Sequence, residues 1–296
     1  ELEISVSSLQ EALFGLNRKF ASEKKTDNNP LQGIKNTFGS LKDELFSDDY
    51  WEEKDRKTLF PSEFFDAMAE AGWIGVAMPE KYGGAGKCIQ EAAIVLEEVA
   101  ASGAAMNGAT SLHLSIFGMH PVVKHGSELM RKKYLPEVAS GKLHVAFGVT
   151  EPNAGSNTTS IETFARLEGD HYLVKGRKIW TTKALESEKV LLLVRTQKKD
   201  EVQRKTDGMT LLLADLQKPE VSISPIPKLG RNAVRTCEVV YEDLEVHISD
   251  RVGEEGKGFR YLLDGPINIA RSLVIDPLST LSIHTCSIIF PNLMSS

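Results

Sequence analysis

Apolar residues in the first half of the chain recur at intervals of three and four, the spacing of one helical face. This spacing predicts a first helix over Ser7–Phe20, which the polar run at 25–30 ends. Helices are also predicted over residues 61–71, 88–102, 112–119 and 127–141. Ser127 suits the N-cap of the last of these, and Gly72 and Gly103 follow the ends of two others.

After Gly141 the apolar spacing changes to two and β-branched residues become more frequent, which predicts strands. The predicted strands are Leu143–Val149, Phe164–Leu167, Tyr172–Lys175, Lys189–Arg195, Met209–Leu216, Val221–Ile226 and Thr236–Val246. Since no helical segment separates them, we expect antiparallel strands closed into a barrel or sandwich.

These changes of pattern divide the chain into four parts. Residues 1–55 are predicted to be a helical or loose extension, 56–142 an all-helical domain and 143–252 a β-barrel middle domain. Residues 253–296 begin a further helical domain and end in an atypical tail, 272–296, with one acidic residue and no Lys or Arg. We expect this tail to be poorly ordered and to lower solubility.

Composition excludes several classes of protein. The 296 residues are 41% hydrophobic and 26% charged, and the net charge of −6 argues against a dedicated nucleic-acid surface. No apolar stretch approaches the roughly 18 residues of a membrane span, and we expect no signal peptide. The three cysteines are far apart, which predicts neither a disulfide framework nor a zinc site and indicates a reducing, intracellular compartment. The seven histidines show no metal-ligand spacing, so no metal site is predicted.

A first candidate site lies in the segment Phe147–Asn157. A predicted strand ends at Thr150, a proline fixes a turn, and Gly155 removes side-chain bulk where the backbone approaches something closely. The turn amides and the hydroxyls of Thr150 and Ser156 form a donor cluster suited to phosphate or to the polar edge of a ring. Local chemistry alone favours a simple strand-terminating turn.

The second candidate is Lys178–Thr182, where an aromatic plane adjoins two hydroxyls. Taken alone, Trp180 is more typical of a barrel core than of a cofactor contact. Together with the first segment, it has the composition that a planar ring with one polar edge requires. Trp180 would supply the flat face, and Thr150 and Thr182 would supply groups at the rim.

Six motifs in order resemble the acyl-CoA dehydrogenase family of flavoproteins. Besides these two segments, they are Ala71–Gly75 with Pro79–Gly86, Gly126–Pro136, Lys228–Gly230 and Gly253–Phe259. The resemblance implies a helical domain, a β-barrel domain and a carboxy-terminal helical domain, with FAD where they meet. It also implies removal of an α-proton and a β-hydride from an acyl-CoA, which gives a trans-2-enoyl-CoA.

The resemblance also assigns roles to residues and partners. Phe147, Val149 and Thr150 would border the flavin, and Trp180 and Thr182 would cover its ring. Gly155 and Ser156 would lie near the cofactor and the CoA chain, and Arg271 near the substrate. An electron-transferring flavoprotein would accept the electrons, the chain would form a homo-oligomer, either tetramer or dimer, and its compartment would be the mitochondrial matrix or the bacterial cytoplasm.

The chain departs from the family pattern in several places. Ala270 precedes Arg271 where some members carry the catalytic Glu, so no base is identified. Asn157, Lys183 and His247 replace residues that are common in the family. Two functions therefore stay open: a dehydrogenase whose chain is incomplete, or a catalytically inactive relative that binds flavin or a partner. An acyl-CoA oxidase is a minor third.

Overall fold

The computed structural model describes residues 46–264. The predicted helix Ser7–Phe20, the substrate residue Arg271 and the tail 272–296 lie outside the described residues. In the described part, a helical region is followed by a sheet, which confirms the predicted order of the two.

The helical region comprises α1 Asp48–Arg56, α2 Ser62–Glu70, α3 Ile89–Val99, α4 Ala105–Ile116, α5 His120–His125 and α6 Glu128–Ala139. Ser127 caps α6 as predicted, because its hydroxyl accepts a hydrogen bond from the Met130 amide at 3.1 Å. The helix predicted from residue 112 begins seven residues earlier, at Ala105. A π-helical turn over Ala100–Ala104, with Gly103 at φ 96°, joins α3 to α4 and includes the predicted end of the helix over 88–102.

The sheet contains β1 Val145–Gly148, β2 Phe164–Glu168, β3 His171–Thr182, β4 Lys189–Arg195, β5 Met209–Asp215, β6 Val221–Pro225, β7 Thr236–His247 and β8 Arg251–Val252. Its order is β6-β7-β3-β2-β4-β5-β8, with β1 paired to β4. A short helix, α7 Gly258–Asp264, follows.

The prediction of an all-antiparallel sheet is wrong at β1, which runs parallel to β4 with Val145 opposite Lys189. β2 also meets β4 in parallel at one residue pair. Parallel neighbours need a crossover connection, usually a helix. Here the β2–β3 hairpin makes that crossover, so the lack of a helical segment did not exclude a parallel pair.

The central strands are buried on both faces and separate two hydrophobic cores. Leu191 and Leu193 of β4 pack with the helices in one core, whereas Leu192 and Val194 pack within the sheet domain in the other. Successive side chains of a strand point to opposite faces, so an almost wholly apolar strand can serve both cores.

A carboxylate at the end of α1 ties the helical region to a loop of the sheet domain. Asp55 Oδ1 accepts from the Asn232 amide nitrogen at 2.5 Å and from the Asn107 side chain at 3.1 Å. Asp55 Oδ2 accepts from Asn232 Nδ2 at 3.1 Å. These bonds hold the loop after β6 against the helices, beside the ends of β3 and β7.

Candidate functional site

The structure brings the two candidate segments together. The carbonyl of Thr150, just after β1, accepts a hydrogen bond from the Ile179 amide of β3 at 2.9 Å. The aromatic segment of β3 therefore runs directly beside the turn that follows β1. The two segments are far apart in sequence, so the topology of the sheet brings them together.

Trp180 is not a core residue. It sits in the left-handed region at φ 62°, in a bulge of the β3–β7 pairing between Lys178 and Thr181, and it is 54% exposed. The structure thus overturns the core-packing interpretation of this side chain. A bulky residue with positive φ is strained by about 1–3 kcal/mol, and such strain persists where the surroundings enforce it. This strained backbone conformation places the large, flat indole face at the surface.

The turn after β1 presents open donors next to that face. Glu151 and Ala154 exchange two backbone hydrogen bonds, which close the turn around Pro152. Gly155 and Ser156 are exposed, and a side chain at Gly155 would meet nothing within 4 Å. Within residues 46–264, no backbone carbonyl accepts from the amides of these two residues.

The other residues predicted to contact the flavin lie around this turn and are buried to different extents. Phe147 and Val149 are half-buried and pack against the core shared with the helices. The Thr182 hydroxyl is half-buried and bonds the Thr236 hydroxyl at 3.1 Å. The neighbouring Thr181 hydroxyl is fully buried and has no hydrogen-bond partner among the described residues.

A buried ion pair that sequence reasoning missed anchors the turn from below. Lys178 is fully buried, and its ammonium donates to Glu151 Oε1 at 2.8 Å and to the Val149 carbonyl at 3.0 Å. Glu151 also accepts from the amides of Glu162 and Thr163, at 2.6 and 2.9 Å. Side chains of a strand alternate between its two faces, so Lys178 lies on the same inward face of β3 as positions 174 and 176. A lysine at an inward position is the signal that could have predicted the ion pair.

Burial and pairing act against each other on the ionisation of this pair. Burial lowers the pKa of Lys178 to about 8, although the Glu151 carboxylate pulls it upward. Burial raises the pKa of Glu151, but Lys178 and the hydrogen bonds outweigh it, so that pKa lies below its ordinary value. Glu151 therefore stays a carboxylate that is committed to Lys178, which leaves it unsuited to act as a base toward a ligand.

A second buried lysine, Lys183, lies just beyond Trp180. Its backbone also has a positive φ, 66°, and its ammonium donates to the Ser111 carbonyl at 3.1 Å and to Ser115 Oγ at 3.4 Å. The ammonium lies 4.1 Å from the centre of the Phe65 ring. Burial lowers the pKa of Lys183 to about 7, against the opposing effect of nearby Glu186 and Glu188.

The arrangement fits a flat, partly polar group such as a flavin ring. Trp180 offers an exposed aromatic face, the Gly155–Ser156 turn offers open amide and hydroxyl donors, and no side chain fills the space above Gly155. Stacking on an indole and hydrogen bonding at a rim are what such a group requires. The residues present therefore fit the cofactor that the resemblance implies.

Two family models match the chain. Residues 41–142 match the acyl-CoA dehydrogenase N-terminal domain, and residues 146–244 match the acyl-CoA dehydrogenase middle domain. Together these matches cover more than half of the 296 residues. The family is one of flavoproteins.

Curated relatives include bacterial and mitochondrial proteins. The chain is 33% identical over 209 residues to 3-(aryl)acrylate reductase of Clostridium sporogenes, and the match covers 70% of this chain and 54% of that protein. It is 30% identical over 217 residues to the mitochondrial isovaleryl-CoA dehydrogenase of Pongo abelii, with coverages of 72% and 51%. The chain thus spans about half the length of the curated relatives it matches.

Solved structures agree with the sequence comparisons. The glutaryl-coenzyme A dehydrogenase complex with glutaryl-CoA is similar with a TM-score of 0.77 at 25% identity, over 89% of this chain and 66% of that one. None of the helices in residues 46–264 is long and apolar enough to cross a membrane. The two domain matches and the shared fold show that this chain belongs to the acyl-CoA dehydrogenase family.

Proposed function

We propose that this chain forms the flavin-contacting part of an FAD-dependent acyl-CoA dehydrogenase. The observation that supports this best is Trp180, an aromatic side chain held exposed in a strained left-handed conformation. It lies beside a turn with open donors, in a chain whose relatives include isovaleryl-CoA dehydrogenase.

Each group at the site has a role in this proposal. Trp180 stacks on the isoalloxazine ring, and Thr182 and Thr150 lie at its polar rim. Phe147 and Val149 form the apolar border of the ring, and Gly155 and Ser156 lie near the cofactor and the CoA chain. FAD, when bound, supplies the hydride acceptor for the oxidation of an acyl-CoA thioester.

The protein must also supply a base for the α-proton, since a thioester α-proton is only weakly acidic. Glu151 does not serve, because Lys178 and two backbone amides hold its carboxylate. We assign the role of base to no other carboxylate in residues 46–264. Arg271, the predicted substrate contact, remains a proposal outside the described residues.

The proposal extends to the partners and the compartment that the family implies. An electron-transferring flavoprotein would reoxidise the flavin, and the chain would assemble as a homo-oligomer, either dimer or tetramer. The relatives include bacterial and mitochondrial proteins, in keeping with the bacterial cytoplasm or the mitochondrial matrix.

An absorbance spectrum of the purified full chain tests the function. We expect a flavin band near 450 nm that bleaches when a short or branched acyl-CoA such as isovaleryl-CoA is added without oxygen. A band that no acyl-CoA bleaches would favour the inactive flavin-binding relative. A chain that takes up no flavin, even from added FAD, would overturn the proposal.

A variant of Trp180 tests the site itself. Trp180→Gly removes the indole ring, and glycine adopts a positive φ without strain. A weaker flavin affinity therefore cannot be attributed to backbone strain. We expect flavin affinity to fall about tenfold or more, as for the loss of one good stacking contact. Asp243→Gly is the matched control, because Asp243 is exposed and also has a positive φ, 57°. Equal flavin affinity in both variants would overturn the assignment of Trp180.

A further inference from the structure

We propose that Asp170, His171 and His247 form a binding site for a divalent transition-metal cation, with Zn²⁺ as the ion that fits best. One ligand atom from each residue lies within 4.8 Å of the other two. Two imidazoles and a carboxylate are a ligand set that zinc accepts in open, three-residue sites. This site is separate from the proposed flavin site and carries no part of that function.

The sheet register places the two histidines side by side. His171 begins β3 and His247 ends β7, and the two are directly paired in the antiparallel ladder. Directly paired residues of antiparallel strands project from the same face of the sheet. The two imidazole centres are accordingly 4.9 Å apart, in an edge-on arrangement.

The turn between β2 and β3 brings the third ligand. Gly169 adopts a positive φ of 60°, and the Asp170 carbonyl accepts from the Ile248 amide at 2.9 Å. This bond fastens the turn to the end of β7. The Asp170 carboxylate consequently faces both histidines, with Oδ1 2.6 Å from His171 Nδ1 and Oδ2 3.5 Å from His247 Nε2.

Tetrahedral coordination by these three residues requires rotations of their side chains, which their exposure allows. Ligand atoms about 2.0–2.1 Å from a tetrahedral zinc are about 3.3 Å from one another. Asp170 Oδ1 lies 2.6 Å from His171 Nδ1 and its other oxygen, Oδ2, lies 3.5 Å from His247 Nε2, while one ligand atom from each residue lies within 4.8 Å of the other two. The side chains are 40–66% exposed, so a water molecule can complete the coordination and the ion can enter from solvent.

An outer contact is already in place for one ligand. His247 Nδ1 lies 2.8 Å from the Ser249 hydroxyl. The Ser249 amide also donates to Nδ1 at 3.1 Å. A metal at Nε2 requires the ring proton on Nδ1, so it would break this amide bond and leave the Ser249 hydroxyl as the acceptor. Metal-bound histidines usually make such a second hydrogen bond, which fixes the tautomer and the ring orientation.

The proposed metal site and the proposed flavin site are at opposite ends of β3. Trp180 lies nine positions after His171 along the extended strand, which corresponds to roughly 30 Å. Metal binding should therefore stabilise the hairpin end of the sheet without changing the flavin spectrum. This separation lets the metal test succeed or fail independently of the proposed function.

Calorimetric titration of the full chain with Zn²⁺, after removal of any affinity tag, tests the proposal. We expect one ion per chain and an increase in the melting temperature, because a ligand that binds only the folded state stabilises it. Co²⁺ should give visible absorption bands of a low-symmetry, four-coordinate site. His247→Gln and Asp170→Asn should each weaken Zn²⁺ binding at least about tenfold.

Two controls separate this site from other ligands. His120→Gln removes a histidine outside the cluster, and the double variant His284→Gln/Cys286→Ser removes the ligand types near the end of the chain. Both controls should bind Zn²⁺ like the unaltered chain. Absence of binding, or equal Zn²⁺ affinity in His247→Gln and His120→Gln, would overturn the proposal and leave the cluster as an exposed ion pair.

Discussion

Two fully buried lysines lie five residues apart on either side of Trp180, and they are held in different ways. Lys178 has a carboxylate partner, Glu151, at 2.8 Å. Lys183 has a carbonyl, a hydroxyl and the face of Phe65, with no carboxylate among its hydrogen-bond partners in residues 46–264. Burial lowers both pKa values, to about 8 for Lys178 and about 7 for Lys183.

The difference in partners indicates that the Lys178 charge balances a buried carboxylate, whereas the Lys183 charge is hydrogen-bonded only to neutral groups in residues 46–264. The Lys178 ammonium holds the turn after β1 in place through Glu151 and the Val149 carbonyl. Lys183 fills the junction between α4 and the end of β3, where a neutral amine would make almost the same contacts. Removing the charge should therefore have opposite consequences at the two positions.

The largest effect should follow from Lys178→Met, which keeps the length of the side chain but removes the ammonium. Glu151 would remain buried without its cation, and breaking a buried pair in this way costs about 3–5 kcal/mol. We expect the free energy of unfolding, measured with urea, to fall by about that amount.

The double variant Lys178→Met/Glu151→Leu is the control for this prediction. Because it removes both charges, its loss of stability should be clearly smaller than that of Lys178→Met alone. If the two variants were equally unstable, the pair would not be the source of the stability.

Lys183→Met should have an effect that depends on pH. The folded pKa of about 7 lies below the ordinary lysine pKa of 10.5, so the unfolded chain holds the proton more strongly between these values. Stability from this group is fully lost below pH 7 and is gained as the pH rises toward 10.5. We expect the variant to be at least as stable as the unaltered chain at pH 7, by up to a few kcal/mol.

This advantage of Lys183→Met should shrink as the pH rises to about 9.5, in urea titrations at matched ionic strength. Lys178 contributes equally to both chains, so the difference between them isolates Lys183. A difference in stability that did not change with pH would show that Lys183 keeps an ordinary pKa.

The smallest effect should come from His144, whose ring stacks on Phe65 with centres 4.3 Å apart. Burial, together with the charge of Lys183, lowers the pKa of His144 to about 3. This histidine contributes stability above pH 6.5 that is lost as the pH falls toward 3. His144→Phe should flatten the acid side of the stability curve by at most about 1.4 kcal/mol per pH unit.

Thermal unfolding between pH 4.5 and 7 measures the change at His144. His125→Phe serves as the matched control, since His125 lies at the other end of the helical region and pairs with Asp264 instead. An equal change of acid sensitivity in both variants would contradict a specific coupling of His144 to Lys183.

The sequence predicted regular elements well where apolar spacing was strong. β4 matches its predicted range of Lys189–Arg195, and β7 extends one residue beyond its prediction. β3 is longer than the predicted strand Tyr172–Lys175 and continues to Thr182. In the structure the strand is continuous, and a side chain at Gly176 would lie 2.6 Å from the Thr163 Cα.

Features that depend on single polar residues or on topology were missed. α1 has one buried side chain, Trp51, among mostly charged residues, so it shows no apolar period. The bulge that exposes Trp180 also escaped prediction, since a period of two would direct Trp180 to the same face as Lys178. The family motifs named the site residues, but only the fold shows which of them adjoin.

The apolar character of β4 has a consequence for how its alignment is fixed. A strand with apolar residues on both faces could slip by one position without exposing any of them, so hydrophobicity leaves its register undetermined. Polar residues at its two ends prevent this. Lys189 pairs with Asp215 at 3.0 Å, and the buried Arg195 guanidinium donates to the carbonyls of Thr159, Ile161, Lys205 and Asp207. A slip would leave the buried Arg195 without its acceptors and would separate the half-buried Lys189 from Asp215, so the two ends fix the alignment of the leucines between them.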